Sequence, residues 1–316
     1  MTGSDTTGSD TTGSDPTGSD PTGPAPVLVT GPTGTVGGPL VELLAARGVP
    51  VVAGVRDPAR FAESVESRVL DFERPETFPA ALRGIGRVFL MRPPAISDTK
   101  RYLRPFIEAA ERHGVEHVVF LSLMGVNRVM PHWQVEQDLR ASGLGSTFLR
   151  PSFFAQNLQT AYRSDIRDHS AIRVPSGRGR TSFIDTRDVA AVAAIVLAAP
   201  GRHAGQAYTL TGPAALDYHQ VASMLSAELG RPVGYEPRSL LGYRRELLAQ
   251  GLPSAYVTVQ LLINLIARVG LAAGVTDTVE RLLGRPATPL ATYLHDLRHC
   301  WEKLDPAGRP AGPGVG

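Results

Sequence analysis

Apolar residues recur in two alternating patterns from about residue 27 onward: short unbroken runs, and stripes at helical spacing. The runs are Val27-Leu28-Val29-Thr30, the stretch 50–55, a short one at 68–70, Val88-Phe89-Leu90-Met91, His117-Val118-Val119-Phe120-Leu121, and Ser146-Thr147-Phe148-Leu149-Arg150. Helical stripes lie between them at 38–47, 76–82, 98–113 and 132–142, and glycines at 48, 114 and 143 close three of these. Near-continuous apolar strands alternating with helices predict a parallel sheet covered on both faces. Right-handed crossovers make it an α/β, doubly wound parallel sheet of the Rossmann type.

After Pro151 the segments shorten. A strand at 181–184 with a helix at 187–198 reads as one more βα unit. A strand at 207–210 precedes a helix at 217–229, and 239–302 reads as mostly helical. The expected organisation is a Rossmann core at 26–152, completed by about 181–200. A smaller, mostly helical substrate-binding cap at 153–180 and 201–302 should cover the carboxyl ends of the strands, where such sheets bind ligands. The apolar helix near 255–268 is expected to form one pocket wall. Residues 1–25 repeat Thr-Gly-Ser-Asp plus Thr or Pro. Such a segment cannot offset its ordering entropy and reads as a disordered low-complexity tail; 303–316 reads as a flexible tail.

Composition narrows the classes. With 316 residues and a net charge of +2, the chain has room for a sizeable core and lacks the basic excess of a nucleic-acid tract. One cysteine, Cys300, excludes an internal disulfide and a cysteine metal cluster. No basic start and apolar run of a signal peptide is visible. Gln260, Asn264 and Arg268 interrupt the one stretch, 255–275, with the length of a membrane span. These features predict a cytoplasmic protein with a small-molecule substrate and with no metal, nucleic acid or membrane. A homodimer through the long helices stays open.

The candidate chemistry starts where the first strand ends. Gly31, Gly34 and Gly37 follow it at three-residue intervals, with Thr33, Thr35 and Val36 in the same loop and a helix after them. In a dinucleotide site such glycines give a sharp turn, a close approach to pyrophosphate, and tight helix packing, while the helix N-terminus faces the phosphates. At the end of the second strand, where an NAD enzyme usually carries an acid, stands Arg56, with Arg60 one turn on. Arginine pairs with a 2′-phosphate, so NADP(H) is favoured over NAD(H). Asp57-Pro58 reads as a helix N-cap. Asp71 falls where such folds contact adenine, and Met91-Arg92 should run beside the nicotinamide ribose. Ser122, at the carboxyl end of the fifth strand, is a candidate for bonding a substrate carbonyl or the nicotinamide amide. His132 is a candidate proton donor; it shares a helix face with Glu136. Trp133, Phe153 and Phe154 are candidate substrate-lining residues, with core packing as the alternative. None of the tyrosines has lysine four residues later, so a Tyr-x-x-x-Lys proton relay is excluded. Asp185-Thr186-Arg187-Asp188 reads as a helix N-cap with an acidic first turn.

Several of these segments together resemble the NmrA-like, atypical short-chain dehydrogenase/reductase family. They are Thr30 to Gly37, Val55-Arg56-Asp57-Pro58, Leu149-Arg150-Pro151-Ser152-Phe153-Phe154-Ala155-Gln156-Asn157-Leu158, Phe183 to Val189, Ala207 to Gly212, and Leu283-Gly284-Arg285-Pro286. The resemblance spans about 26–302. It implies a Rossmann fold and NAD(P) binding, with Gly31, Gly34 and Gly37 at the pyrophosphate and Arg56 at the 2′-phosphate. Phe154, Gln156 and Asn157 would then lie near nicotinamide and substrate. Pro32 stands where the family commonly has alanine and removes one backbone N–H from the loop. The expected activity is an NADPH-dependent reductase of a small hydrophobic carbonyl, quinone or imine, in secondary metabolism among other settings. A non-catalytic NADP(H)-sensing regulator and a non-redox isomerase or cyclase are the alternatives.

Overall fold

The computed structural model describes residues 25–61 and 65–303. The expected tails at 1–25 and 303–316 lie outside these residues except for Ala25 and Lys303. Six strands come in the predicted order: β1 (Val27–Thr30), β2 (Val51–Val55), β3 (Glu66–Val69), β4 (Arg87–Met91), β5 (His117–Leu121) and β6 (Gly145–Pro151). The helices between them are α1 (Gly37–Ala46), α2 (Phe78–Leu82), α3 (Thr99–Tyr102), α4 (Arg104–Arg112) and α5 (Pro131–Ala141). Further on come α6 (Arg163–His169), the two-residue strands β7 (Ala171–Ile172) and β8 (Arg180–Thr181), and α7 (Thr186–Ala198). The chain continues through β9 (Ala207–Leu210), β10 (Leu216–Asp217), α8 (Tyr218–Leu229), β11 (Gly234–Tyr235), α9 (Leu240–Ala249), α10 (Ser254–Arg268), α11 (Thr278–Leu283) and α12 (Leu290–Asp296).

The main sheet has the order β3-β2-β1-β4-β5-β6-β9, and every neighbouring pair is parallel. Alternation along each strand divides the core into two layers. Val118 and Phe120 of β5 join Leu28, Val88 and Phe148 under α4 and α5, where Phe72, Phe78 and Phe106 meet edge to face. Val119 and Leu121 join Val29, Phe89 and Leu149 on the other face, against Leu40 and Leu44 of α1 and the alanine-rich α7. A third cluster is the cap's own core, with Tyr162, Phe183, Tyr218, Tyr243, Tyr293 and Trp301 among its members.

Two segments differ from the sequence reading. The run 181–184 is not a strand of the main sheet. Arg180–Thr181 pairs antiparallel with β10, Ser182 N–H turns to the Ala272 carbonyl, and Ile184 makes an isolated parallel bridge with Phe154 before Asp185 caps α7. The run 207–210, assigned to the cap, is the seventh strand of the main sheet. Leu149 pairs with Tyr208, and α7 is the crossover that carries the chain from β6 to β9.

Candidate functional site

The strand order reverses direction between β1 and β4: α1 leads outward from β1 to β2, whereas the chain returns from β3 to β4 on the other side. Ligands of open α/β sheets bind outside the carboxyl ends of the strands at such a switch point. Thr30 holds the two strand ends together there, its Oγ1 accepting from Met91 N–H at 2.8 Å.

The glycine loop occupies that point. Gly31 has φ +62°, the left-handed conformation glycine adopts without strain. Gly34 N–H donates to the Gly31 carbonyl at 3.0 Å. A Cβ on Gly34 would lie 3.2 Å from Gly31 O, and one on Gly37 only 2.1 Å from it, so α1 packs directly on the turn. No side chain caps the start of α1, and its first turn carries no acid. Its leading N–H groups and positive dipole end therefore suit an anion. Thr33 and Thr35 are exposed on the loop, while Val36 and Pro32 are buried beneath it. The residues of this loop fit a dinucleotide pyrophosphate: the close seat of α1 on the turn, which a Cβ at Gly37 would break, leaves its leading N–H groups toward the switch point.

Arg56 is exposed at the end of β2, with no ion-pair partner among the described residues. Arg60 stands further out, its side chain 88 % exposed and 3.4 Å from Asp57. Asp57 caps the short 3₁₀ turn Pro58–Arg60 by accepting from Ala59 N–H, as read from the sequence. Asp71 is half-buried and closes its own turn, Oδ1 accepting from Glu73 N–H at 3.0 Å.

Several residues expected at the reacting end are engaged within the protein. Arg92 folds back on its own loop, donating to the carbonyls of Pro93, Pro94 and Ile96. Its Nε donates to His132 Nε2 at 3.4 Å, so the His132 ring proton resides on Nδ1, a buried atom without a partner. Burial first, and Arg92 second, push the His132 pKa down to about 3. The expected proton donor is therefore a neutral imidazole near pH 7, not an imidazolium acid. Ser122 is buried and donates its hydroxyl proton to Glu136 Oε1 at 2.7 Å, so that proton is already committed. Glu136 is 1 % exposed and also takes a two-pronged bond from Arg150, Nε at 2.9 Å and a terminal nitrogen at 2.5 Å. Gln156, expected beside the nicotinamide, instead turns inward. Its Nε2 donates to Asp185 and its Oε1 accepts from Thr186 N–H, tying the turn after β6 to the start of α7. Asp185 is the α7 N-cap and also pairs with Arg187; Asp188 accepts from Arg285 and Thr288.

What stays available is a smaller set. Phe153 and Phe154 diverge: Phe153 packs perpendicular to Phe183 in the cap core, with centroids 5.5 Å apart. Phe154 pairs with Ile184 and lies half-buried on the same apolar layer as Met91. Asn157 is half-buried and makes no side-chain hydrogen bond among the described residues. Trp133 is half-buried in the first turn of α5. The wide apolar side chains of α10, expected to wall a pocket, are largely exposed, and its inner face packs on the cap. A small apolar cavity of about 140 Å³ between Phe183, Pro213, Met224 and Leu290 includes none of the loop or Arg56 residues and is not the cofactor site. Among the described residues no group of three metal-ligating side chains occurs, and no helix is long and apolar enough to cross a membrane.

This arrangement can be compared with known proteins. Residues 25–262 match the NmrA-like family. The chain belongs to that family. It is 37 % identical over 277 residues to the NAD(P)H azoreductase of Xenophilus azovorans, covering 84 % of this chain and 96 % of the relative. The structure of an NADPH-dependent quinone oxidoreductase from Escherichia coli complexed with NADPH superposes with a TM-score of 0.77 at 27 % identity, covering 86 % of this chain and 99 % of that one. The negative transcriptional regulator NmrA, solved with NADP, shares the fold at a TM-score of 0.70 and 18 % identity, over 86 % of this chain and 95 % of that one.

The two histidines with the most strongly lowered pKa give a pH prediction. His117, bonded to Thr147 Oγ1 at 2.9 Å, is lowered to about 4 by burial, then by His203 and Arg87; His132 is lowered to about 3. Unfolded, both titrate near 6.5. Below that value the unfolded chain binds protons that the fold refuses, so stability is full above pH 6.5 and lost as pH falls toward the folded values. A loss on the order of 2 kcal/mol from each is expected by pH 4.5. Urea unfolding at pH 7 and pH 4.5 measures it, and replacing both histidines by asparagine should flatten the dependence.

Proposed function

We propose that the protein is an NADPH-dependent reductase of small hydrophobic carbonyl, quinone, azo or imine compounds. The observation that carries this reading is the glycine cradle at the β1–β4 switch point with the unpaired Arg56 at the neighbouring strand end. The azoreductase and quinone oxidoreductase relatives support the substrate class.

Gly31 to Gly37 would hold the pyrophosphate, Arg56 the 2′-phosphate, and Asp71 the adenine. When bound, the dinucleotide supplies the hydride. Asn157, whose side-chain amide makes no hydrogen bond among the described residues, orients the nicotinamide or the substrate. Met91, Phe154 and Trp133 give apolar surface that excludes water and selects a flat hydrophobic substrate. With His132 neutral and the Ser122 hydroxyl donating to Glu136, no side chain of the set is a ready acid. The chain acts by positioning, and the proton comes from solvent.

Oxidation of NADPH, followed by absorbance over panels of quinones, azo dyes and imines, tests the activity; no turnover on any panel rejects it. Arg56→Ala tests the cofactor assignment. It removes a charge-assisted pair and is expected to weaken NADPH binding about 10- to 100-fold while leaving NADH within about twofold. Equal loss for both nucleotides would show that Arg56 does not read the 2′-phosphate.

A further inference from the structure

Helix α10 buries two amides beside Val257 and Ala267 and leaves an apolar arc outside. Asn264 is 1 % exposed, its amide held between Ser176 Oγ and the Gln260 carbonyl, and Gln260 Oε1 is buried without a partner. The opposite arc carries Tyr256, Val259, Leu262, Leu265 and Val269, all 39–59 % exposed. At 100° per residue these five fall on one half of the helix, with Ile263 and Ile266 between them. Leu271 and Val275, 74 % and 47 % exposed, follow directly in the chain. A helix free to choose would bury this arc and turn its amides to water.

We propose that this arc is the seat of a second copy of the chain, with α10 packed on α10 of its partner about a two-fold axis. Area and charge both select that occupant. The exposed apolar side chains of 256–275 present on the order of 600 Å² per chain, against about 600–1,000 Å² per partner in a stable interface. The arc itself is uncharged, so it meets no like-charge penalty when set against its own copy. Among Ser254–Arg268 the sole charged residue is Arg268, and its guanidinium donates to the Pro175 carbonyl. A helix that lies on an anionic membrane carries lysine and arginine along its polar face; Ser254–Arg268 has no lysine, and its one arginine is bonded to Pro175.

The test is sedimentation velocity of the full chain with NADPH from low to high micromolar concentration. A mass twice that of one chain is expected at the upper end. The paired change Leu262→Gln and Leu265→Gln, at exposed positions, should shift it to the mass of one chain while NADPH retention shows the fold intact. A wild-type protein that stays monomeric throughout overturns the proposal. So does a dimer that survives both substitutions, and so does a monomer that co-floats with phosphatidylcholine vesicles, since lipid would then be the occupant.

Discussion

Gly37→Ala is expected to weaken NADPH binding by at least about 100-fold, a loss of about 2.7 kcal/mol or more, whereas Gly38→Ala next to it changes little. The contrast follows from what each new Cβ would meet. At Gly37 it would fall 2.1 Å from Gly31 O, 2.8 Å from Gly31 C and 3.1 Å from Pro32 Cα. All three are backbone atoms, so no side-chain rotation relieves the clash. The helix must lift from the loop, and its leading N–H groups, the proposed phosphate ligands, move with it. At Gly38 the nearest atom, Pro32 O, is 3.4 Å away, an ordinary contact. Gly34 lies between these, at 3.2 Å from Gly31 O, and its substitution should rank between them. Fluorescence titration with NADPH measures all three, and a melting curve separates loss of the cradle from loss of the fold. A Gly37→Ala protein that binds like wild type would mean that this loop is not the phosphate cradle.

The same contrast shows what could be read from the chain. The spacing of Gly31, Gly34 and Gly37 is a local signal, because turn, approach and helix packing all occur within seven residues. Strand and helix alternation is equally local, so the first six strands and the helices between them were legible. The seat of Ala207–Leu210 in the sheet was not, since a four-residue apolar run reads alike in a sheet or a cap. Its place is decided by pairing with β6 nearly sixty residues earlier. The site divides in the same way. The place of Arg56, exposed at the end of β2, follows from the local pattern. The inward turn of Gln156 does not, because its partners Asp185 and Thr186 arrive with a helix about thirty residues later. The role of Arg150 in the Arg-Pro-Ser-Phe stretch is likewise set by a partner on a separate element. Its partner, Glu136, stood in plain view as the residue sharing a helix face with His132.

That pair carries the second large effect: Glu136→Ala is expected to destabilise the fold by about 3–5 kcal/mol. The carboxylate is 1 % exposed and accepts three bonds, one from Ser122 Oγ and two from Arg150. Removing it strands a guanidinium in a half-buried site and leaves a buried hydroxyl without an acceptor. Glu136→Gln keeps the shape and an acceptor for Ser122 but drops the charge, so its loss should be smaller. The double change Glu136→Leu with Arg150→Met removes both charges together and should recover a good part of the loss, because a buried ion pair adds little over well-packed apolar groups. Urea unfolding of the four proteins gives the coupling energy. Additive losses would mean that the two side chains stabilise the fold separately. The pair joins α5 to the end of β6, and Ser122 extends it to the end of β5. It thus fixes the ends of β5 and β6, including the turn that carries Phe154 and Asn157, which the proposed site places beside the nicotinamide. With the phosphates proposed to rest on the β1–α1 loop and Arg56, Glu136→Gln should therefore raise KM for the hydrophobic substrate more than it raises the dissociation constant for NADPH.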